Sequence, residues 1–366
     1  MSAPDLTVVG LGPAGRTLAH RALARGLRVR VVDPRPARLW RNTYGGWAHQ
    51  LPEWLPDEVV GARSKRTVMR TGAVHVLPEP YLVLDTPRLQ QALSIEGAEV
   101  VERVVDDAEL AALPGAVVDC RGSRPAGVPG GGPAQTAFGL MLPRGWSEKL
   151  LRGDEAVLME WTPHDGRARW GTEEPSFCYL IPLPDGRVLA EETCLAGSPA
   201  LRSAELERRL GARLDLLGVP EEARRAAEVE RVHIPLTHLP RGSGVPPFGA
   251  AGDQLNPITG YSVFASLAQA DDVLDAVLGG RPVAAPRGTR ALRLAALGAV
   301  LKLSGDATVQ LFDAFARLSV ADQRAVMDPA TPATELVAAL TRQWAAMPGP
   351  DRFRLVSATA QGVLRP

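Results

Sequence analysis

Lysine is nearly absent. Of the 41 basic residues only Lys65, Lys149 and Lys302 are lysines; arginine makes up the rest, among 36 glycines and 32 prolines. That bias fits a GC-rich coding sequence, so a single arginine carries little weight as a clue. Net charge is absent too, with 41 acidic residues against 41 basic ones, so the chain as a whole carries no electrostatic footprint for nucleic acid and no such partner is expected. The three cysteines, Cys120, Cys178 and Cys194, are too few and too scattered for a disulfide frame and read as buried thiols in a reducing compartment. No apolar run reaches the roughly 18 residues of a spanning helix, and the N-terminus has no basic and apolar leader. The expectation is a cytoplasmic protein without a spanning helix. The six histidines fall at no metal-ligand spacing, so no metal is expected. With no G-x-S-x-G elbow, acyl transfer has no visible nucleophile.

What is present is an ordinary globular balance: 366 residues, 45% apolar and 22% charged, enough for two packed lobes. "LTVVGLGPAG" runs a short apolar strand into Gly10, Gly12 and Gly15, with Pro13 and Ala14 opening a helix. A second strand then closes on Asp33. Glycines let the backbone turn and approach a pyrophosphate at a helix N-terminus, and the acid takes ribose hydroxyls. Strand, glycines, helix, strand and acid in register predict a dinucleotide site. A second signal, "GAAGDQLNPITGYS" over 249–262, joins Gly252 and Asp253 to Pro257, Thr259, Gly260 and Tyr261 at the start of a long helix. A carboxylate for ribityl hydroxyls and a helix dipole facing a reduced ring are what a flavin needs, so the pair of signals predicts FAD.

Between these segments, "EAVLMEW", "SFCYLIPL" and "RVLAEETCL" read as strands of a separate sheet over 155–195, and "SAELERRLGARLDLL" (203–217) as a helix with its glutamates and arginines toward solvent. A last strand is expected at 231–236, a linker at 126–133 and helices throughout 286–366. Inside "AEETCL" two acids stand side by side. Strand alternation sends Glu191 and Glu192 to opposite faces, so only one of them can serve a given pocket.

Seven blocks in order, "VDPRP", "NTYGGW", "AQTAFG", "LMEW", "SFCYLIPL", "EETCLAG" and "GAAGDQLNPITGYSV", resemble the FAD-dependent lycopene cyclase family along nearly the whole chain. The resemblance implies an α/β fold: a Rossmann-like FAD-binding domain of the flavin-monooxygenase type over 1–285, with a mixed or antiparallel substrate sheet inserted at about 140–240 and 60–85, then a helical part over 286–366. It also implies a non-redox, acid-catalysed cyclisation of a polyene such as lycopene, with reduced FAD stabilising a carbocation and NAD(P)H only reducing the flavin. The family's catalytic glutamate aligns with Glu191; Glu192 is the alternative, and Glu160 is a candidate for the final proton. Arg88, in the helix opened by Pro87, joins the cofactor set. Tyr44, Trp47, Phe138, Trp161 and Tyr179 are expected to line the substrate path. So apolar a substrate also implies peripheral docking on a membrane, with the arginine-edged segment 290–303 as the candidate face.

The chain departs from the family pattern at Glu160-Trp161-Thr162, which lacks an arginine, and at Asn256-Pro257, where His-Pro is usual. The changed Glu160-Trp161-Thr162 block and an aromatic content of only 5% keep open a related cyclase acting on another terpenoid; the alternative of another class is a flavin reductase or hydroxylase that consumes NAD(P)H stoichiometrically.

Overall fold

The computed structural model describes residues 3–123, 132–237, 244–252, 254–281, 283, 288–349 and 352. Most of the expected linker, and Asp253, lie outside the described residues.

The chain begins with β1 (Leu6–Val9), α1 (Pro13–Ala24) and β2 (Val29–Asp33). Next come β3 (Gly45–Trp47), β4 (Val60–Ser64), β5 (Arg66–Arg70), β6 (Val74–Leu77), β7 (Tyr81–Leu84) and α2 (Thr86–Ala92), capped by the Asp85 side chain. β8 (Glu99–Glu102), α3 (Asp107–Leu110) and β9 (Ala116–Asp119) complete a parallel sheet in the order β8-β2-β1-β9. β1 is buried along its whole length, the run expected of a parallel strand covered on both faces. α1 covers one face, and Pro13 at its first turn costs no helical hydrogen bond.

β10 (Ala134–Leu142), α4 (Trp146–Leu150), β11 (Glu155–Glu160), β12 (Phe177–Pro182), β13 (Val188–Gly197), α5 (Ser203–Leu216), α6 (Glu221–Arg225) and β14 (Glu228–Pro235) follow. Their strands join β5 and β6 in a seven-stranded sheet, β14-β10-β13-β12-β11-β5-β6, while β3, β7 and β4 form a small antiparallel sheet. α7 (Val263–Leu278) returns to pack on α1 through the Arg21–Asp271 and Arg25–Asp275 ion pairs. The last helices, α8 (Thr289–Val300), α9 (Gly305–Ala316), α10 (Val320–Met327) and α11 (Ala333–Ala346), lie over one face of the seven-stranded sheet. Phe312, Phe315, Val300 and Val326 there share a core with Trp161 and Phe177.

α5 covers the opposite face, and two of its arginines correct the sequence expectation. Arg209 and Arg213 are 3% and 4% exposed and turn inward rather than to solvent. Arg213 donates to both Glu192 oxygens at 2.8 and 3.1 Å, and the Ser176 hydroxyl adds a third bond at 2.6 Å. Burying such a pair gains little over apolar packing, but breaking it strands a charge at a cost of about 3–5 kcal/mol. Arg213→Ala is therefore expected to lower unfolding free energy by about that amount in denaturant titrations, and the Arg213→Met, Glu192→Met pair to recover most of the loss.

Candidate active site

Strand register assigns the site residues to faces. One row crosses four strands as Tyr179, Glu191, Gly139 and Glu230. The next row runs Glu160, Cys178, Glu192, Phe138 and Arg231 and points the other way, toward α5. Glu191 thus faces a cavity of about 560 Å³, and Glu192 is spent on Arg213.

Two expectations fail for the same geometric reason. Phe138 lies under the Arg231 guanidinium, 5.1 Å from its ring, in the core beneath α5, so it lines no substrate path. The Glu160 carboxylate is held by Arg70 at 3.2 Å and borders neither large cavity. The arginine missing after Glu160-Trp161 is thus supplied by β5. Trp161 is also core: it stacks on Phe312 and meets Phe177 at a tilt, with ring centroids 4.9 Å apart in each case. The remaining aromatics do line cavities. Tyr44 borders the first, Trp47 borders a second, apolar cavity of about 580 Å³ under α8, α9 and α11, and Tyr179 borders both.

A tyrosine cluster joins the two spaces. Tyr261 lines both cavities, and its hydroxyl meets those of Tyr81 at 2.9 Å and Tyr179 at 3.2 Å. Burial raises the pKa of all three phenols, so they stay neutral. Beside them Glu191 is 8% exposed and, among the described residues, receives one hydrogen bond, from the Thr193 hydroxyl at 3.2 Å. Its pKa is pushed up to about 8, first by burial and then by the charge of Glu230, with Thr193 opposing. Among the described residues no cation pairs with this carboxyl, and a pKa raised to about 8 favours the protonated form near neutrality.

Glu230 was not legible in the sequence as a site residue. It borders the same cavity, and Thr43 donates to it twice, from the backbone N–H and from the hydroxyl, both at 2.8 Å. Burial raises its pKa while these two bonds oppose the rise. A strand-parity reading of Glu230, Val232 and Ile234 would have put it on a common face.

The glycine-rich turn fits a dinucleotide by the room each position leaves. Gly10 has a φ of +98° and a Cβ there would stand 2.5 Å from the Cys120 carbonyl oxygen. At Gly15 a Cβ would be 1.9 Å from the Gly10 carbonyl oxygen, which allows α1 to press on β1. At Gly12, the α1 N-cap, nothing lies within 4 Å of that position, so a diphosphate has space against the helix N-terminus. Asp33 closes β2 beside this turn and accepts from the backbone N–H groups of Leu11 and Arg35, both at 2.7 Å.

Pro13, Gly260, Tyr261, Gln135 and the α7 entrance, Ser262 and Val263, border the 560 Å³ cavity, a set suited to a flavin ring beside a helix N-terminus. Ala14 packs under Gly249, Gly252 against Pro247, and a Cβ at Gly260 would collide with the Gln135 side chain at 2.1 Å. Four expected cofactor residues sit elsewhere, Gly252 among them, which borders the same small gap as Pro257. Thr259 lines the apolar cavity, Pro257 faces a small gap against α8, and the exposed Arg88 pairs with Asp85 at 3.4 Å. Asn256, where histidine is usual in the resembling family, is 1% exposed and ties this loop to α10 through the Met327 carbonyl at 3.0 Å. Among the described residues no group of three or more His, Cys, Asp and Glu side chains could hold a metal.

The architecture is that of flavoproteins of the monooxygenase, halogenase and reductase type. A geranylgeranyl bacteriochlorophyll reductase-like protein from Thermoplasma acidophilum aligns over 97% of this chain and 99% of its own, with a TM-score of 0.62 at 14% identity. A flavoprotein/dehydrogenase from Cytophaga hutchinsonii aligns over 99% of both, at 0.53 and 12%. The family model for lycopene cyclase proteins matches residues 5–342, and the chain belongs to that family. An uncharacterized carotenoid cyclase from Deinococcus radiodurans is 29% identical over 97% of this chain and 93% of its own. The chloroplastic lycopene beta cyclase of an Oncidium hybrid cultivar is 29% identical over 85% of this chain and 75% of its own. Against the chloroplastic neoxanthin synthase of Solanum tuberosum, 27% identical, the match spans 61% of the relative's length.

The elevated proton affinity of Glu191 makes a stability prediction. Because the folded carboxyl titrates near 8 and the unfolded one near 4.5, the native state holds the extra proton in that window. Its stability contribution is complete below the unfolded value and is lost as pH rises through the folded one. Glu191→Gln should therefore match wild type near pH 4 to 5, by about the unfolded carboxyl value, and exceed it by a few kcal/mol, as an order of magnitude, near pH 8. Denaturant titrations across that range check it, and a pH-independent difference would contradict it.

Proposed function

We propose that the protein is a lycopene β-cyclase-type isomerase that closes a ring at the end of a long apolar polyene by acid catalysis. The observation that carries this reading is Glu191: a buried carboxyl with no cation partner among the described residues, its pKa pushed up by burial to about 8, lining the 560 Å³ cavity that Tyr179 and Tyr261 share with the apolar one. An isolated alkene is a very weak base, so its protonation needs an acid in a dry site and negative charge near the cation that forms.

In this reading the Glu191 proton forms a C–H bond with one carbon of the terminal double bond, leaving a tertiary cation and a carboxylate. The neighbouring double bond attacks the cation to close a six-membered ring, and loss of a proton gives an isomer of the substrate. Tyr179, Tyr81 and Tyr261 present neutral ring faces and hydroxyls where the two cavities meet, and π faces stabilise a nearby cation. Reduced FAD, held by Gly10, Gly12, Gly15, Asp33 and the α7 entrance, would supply negative charge beside that cation, with NAD(P)H serving only to reduce it.

The polyene is proposed to enter through the apolar cavity. Leu292, Ala295 and Ala296 of α8 and Val337 and Trp344 of α11 border it, and Val337 and Trp344 are 46% and 36% exposed. A mouth of this kind suits peripheral docking on a bilayer from which a hydrocarbon is drawn. The arginine edge expected on 290–303 is incomplete: Arg293 is buried and donates to carbonyls at the end of α10. No helix among the described residues is long and apolar enough to cross a membrane.

Protein with reduced FAD and lycopene in liposomes is expected to give a product of unchanged mass, without continuing NAD(P)H consumption. A product of altered mass formed with stoichiometric NAD(P)H use would replace this reading with a reductase or hydroxylase. Glu191→Gln should retain flavin and lose cyclisation by about 100-fold or more. Ala296→Trp, which fills the apolar cavity, should cut cyclisation at least about tenfold with flavin affinity unchanged; full activity in that variant would move the polyene elsewhere.

A further inference from the structure

The cavity that Glu191 lines holds a second buried carboxyl without a task. Glu230 stands in the same cross-strand row as Glu191, with only Gly139 between them. A Cβ at Gly139 would stand 3.3 Å from both Cβ and Cγ of Glu191, so the Glu191 side chain leans across the glycine toward β14. Both carboxyls border one cavity. Their hydrogen bonding is unequal. Glu230 receives two bonds at 2.8 Å from Thr43, and Glu191 receives one at 3.2 Å from Thr193. Donors favour the ionised form, and two neighbouring carboxyls in low dielectric do not both ionise readily.

We propose that Glu191 and Glu230 form a one-proton pair across Gly139, in which Thr43 fixes the charge on Glu230 and Glu230 in turn keeps the proton on Glu191. Glu230 is a positioning residue in this arrangement, acting on substrate through Glu191. The inference rests on the reading of Glu191 as proton donor. Other groups facing the pair do not replace the Glu230 charge. The phenols of Tyr81, Tyr179 and Tyr261 are neutral, as is Tyr44, which burial pushes up to about 12. Arg38 and His233 border the same cavity, and Glu228 lies further along β14 and adds negative charge near Glu230. Once Glu191 has given its proton to the alkene carbon, two carboxylates face the cation, and the proton lost at ring closure restores the one-proton state.

The test compares wild type, Glu230→Gln and Glu230→Asp holoenzymes. Glu230→Gln is expected to shift the alkaline limb of the cyclisation pH profile down by about one unit, close to a tenfold change in proton affinity, while flavin affinity stays constant. Glu230→Asp, which keeps the charge, should return the limb toward wild type. Infrared titration of the protonated carboxyl band gives the same information without turnover: the band should vanish in Glu191→Gln and titrate at lower pH in Glu230→Gln. A band that titrates at the wild-type pH in Glu230→Gln overturns the pair. If lycopene is not cyclised at all, the infrared titration still decides the pair; if cyclisation proceeds with an unmoved limb, the pair fails and the cyclase reading stands. Glu230→Met serves in place of Glu230→Gln should the latter not fold.

Discussion

The site depends on one constraint: a carboxyl buried with no cation partner among the described residues. Leaving a polar group unpaired away from water costs free energy, and for a carboxyl the cost is met by keeping the proton. The fold enforces this at Glu191 and prevents it one residue later. Strand alternation turns Glu192 toward α5, where Arg213 and Ser176 stabilise its charge. Glu191 turns toward neutral phenols and a single threonine hydroxyl. The two adjacent glutamates therefore have opposite chemistry, and β13 can supply both because it is covered on each face, by α5 on one side and by the cavities on the other.

That division explains how the rest of the molecule is arranged. The parallel sheet and α1 provide an anion-binding turn with space at Gly12, and the loop from Gly249 to Ser262 brings a second helix N-terminus to the cavity. The last four helices close the far end with an apolar wall. Tyr261 belongs to the loop, to the tyrosine cluster and to both cavities, so the cofactor-type motif and the apolar space share a boundary. Asn256 anchors that boundary to α10, which ties the helical part to the loop mechanically.

Much of this was legible in the sequence, for physical reasons. The glycine-rich turn is local: φ, close approach and helix start are properties of a few consecutive residues. The opposition of Glu191 and Glu192 needs only strand parity. What escaped the sequence depends on partners distant in the chain. Arg209 and Arg213 follow a helix-surface pattern that reads as solvent-facing, yet their guanidinium groups answer acids on the sheet beneath. Phe138 and Glu160 sit in matched blocks, but their face is set by the register of β10 and β11 against neighbours that no local pattern specifies. Thr43 lay within a recognised block, and its role appears only when Glu230, far along the chain, folds beside it.

On the proposed function, ring closure begins with a proton from a solvent-exchangeable acid, Glu191. Cyclisation of lycopene in deuterium oxide by the reduced holoenzyme measures this directly. One deuterium per ring formed, bonded to carbon and absent when Glu191→Gln is used, is the predicted result. A cyclic product carrying no deuterium, or one labelled equally by Glu191→Gln, would contradict it.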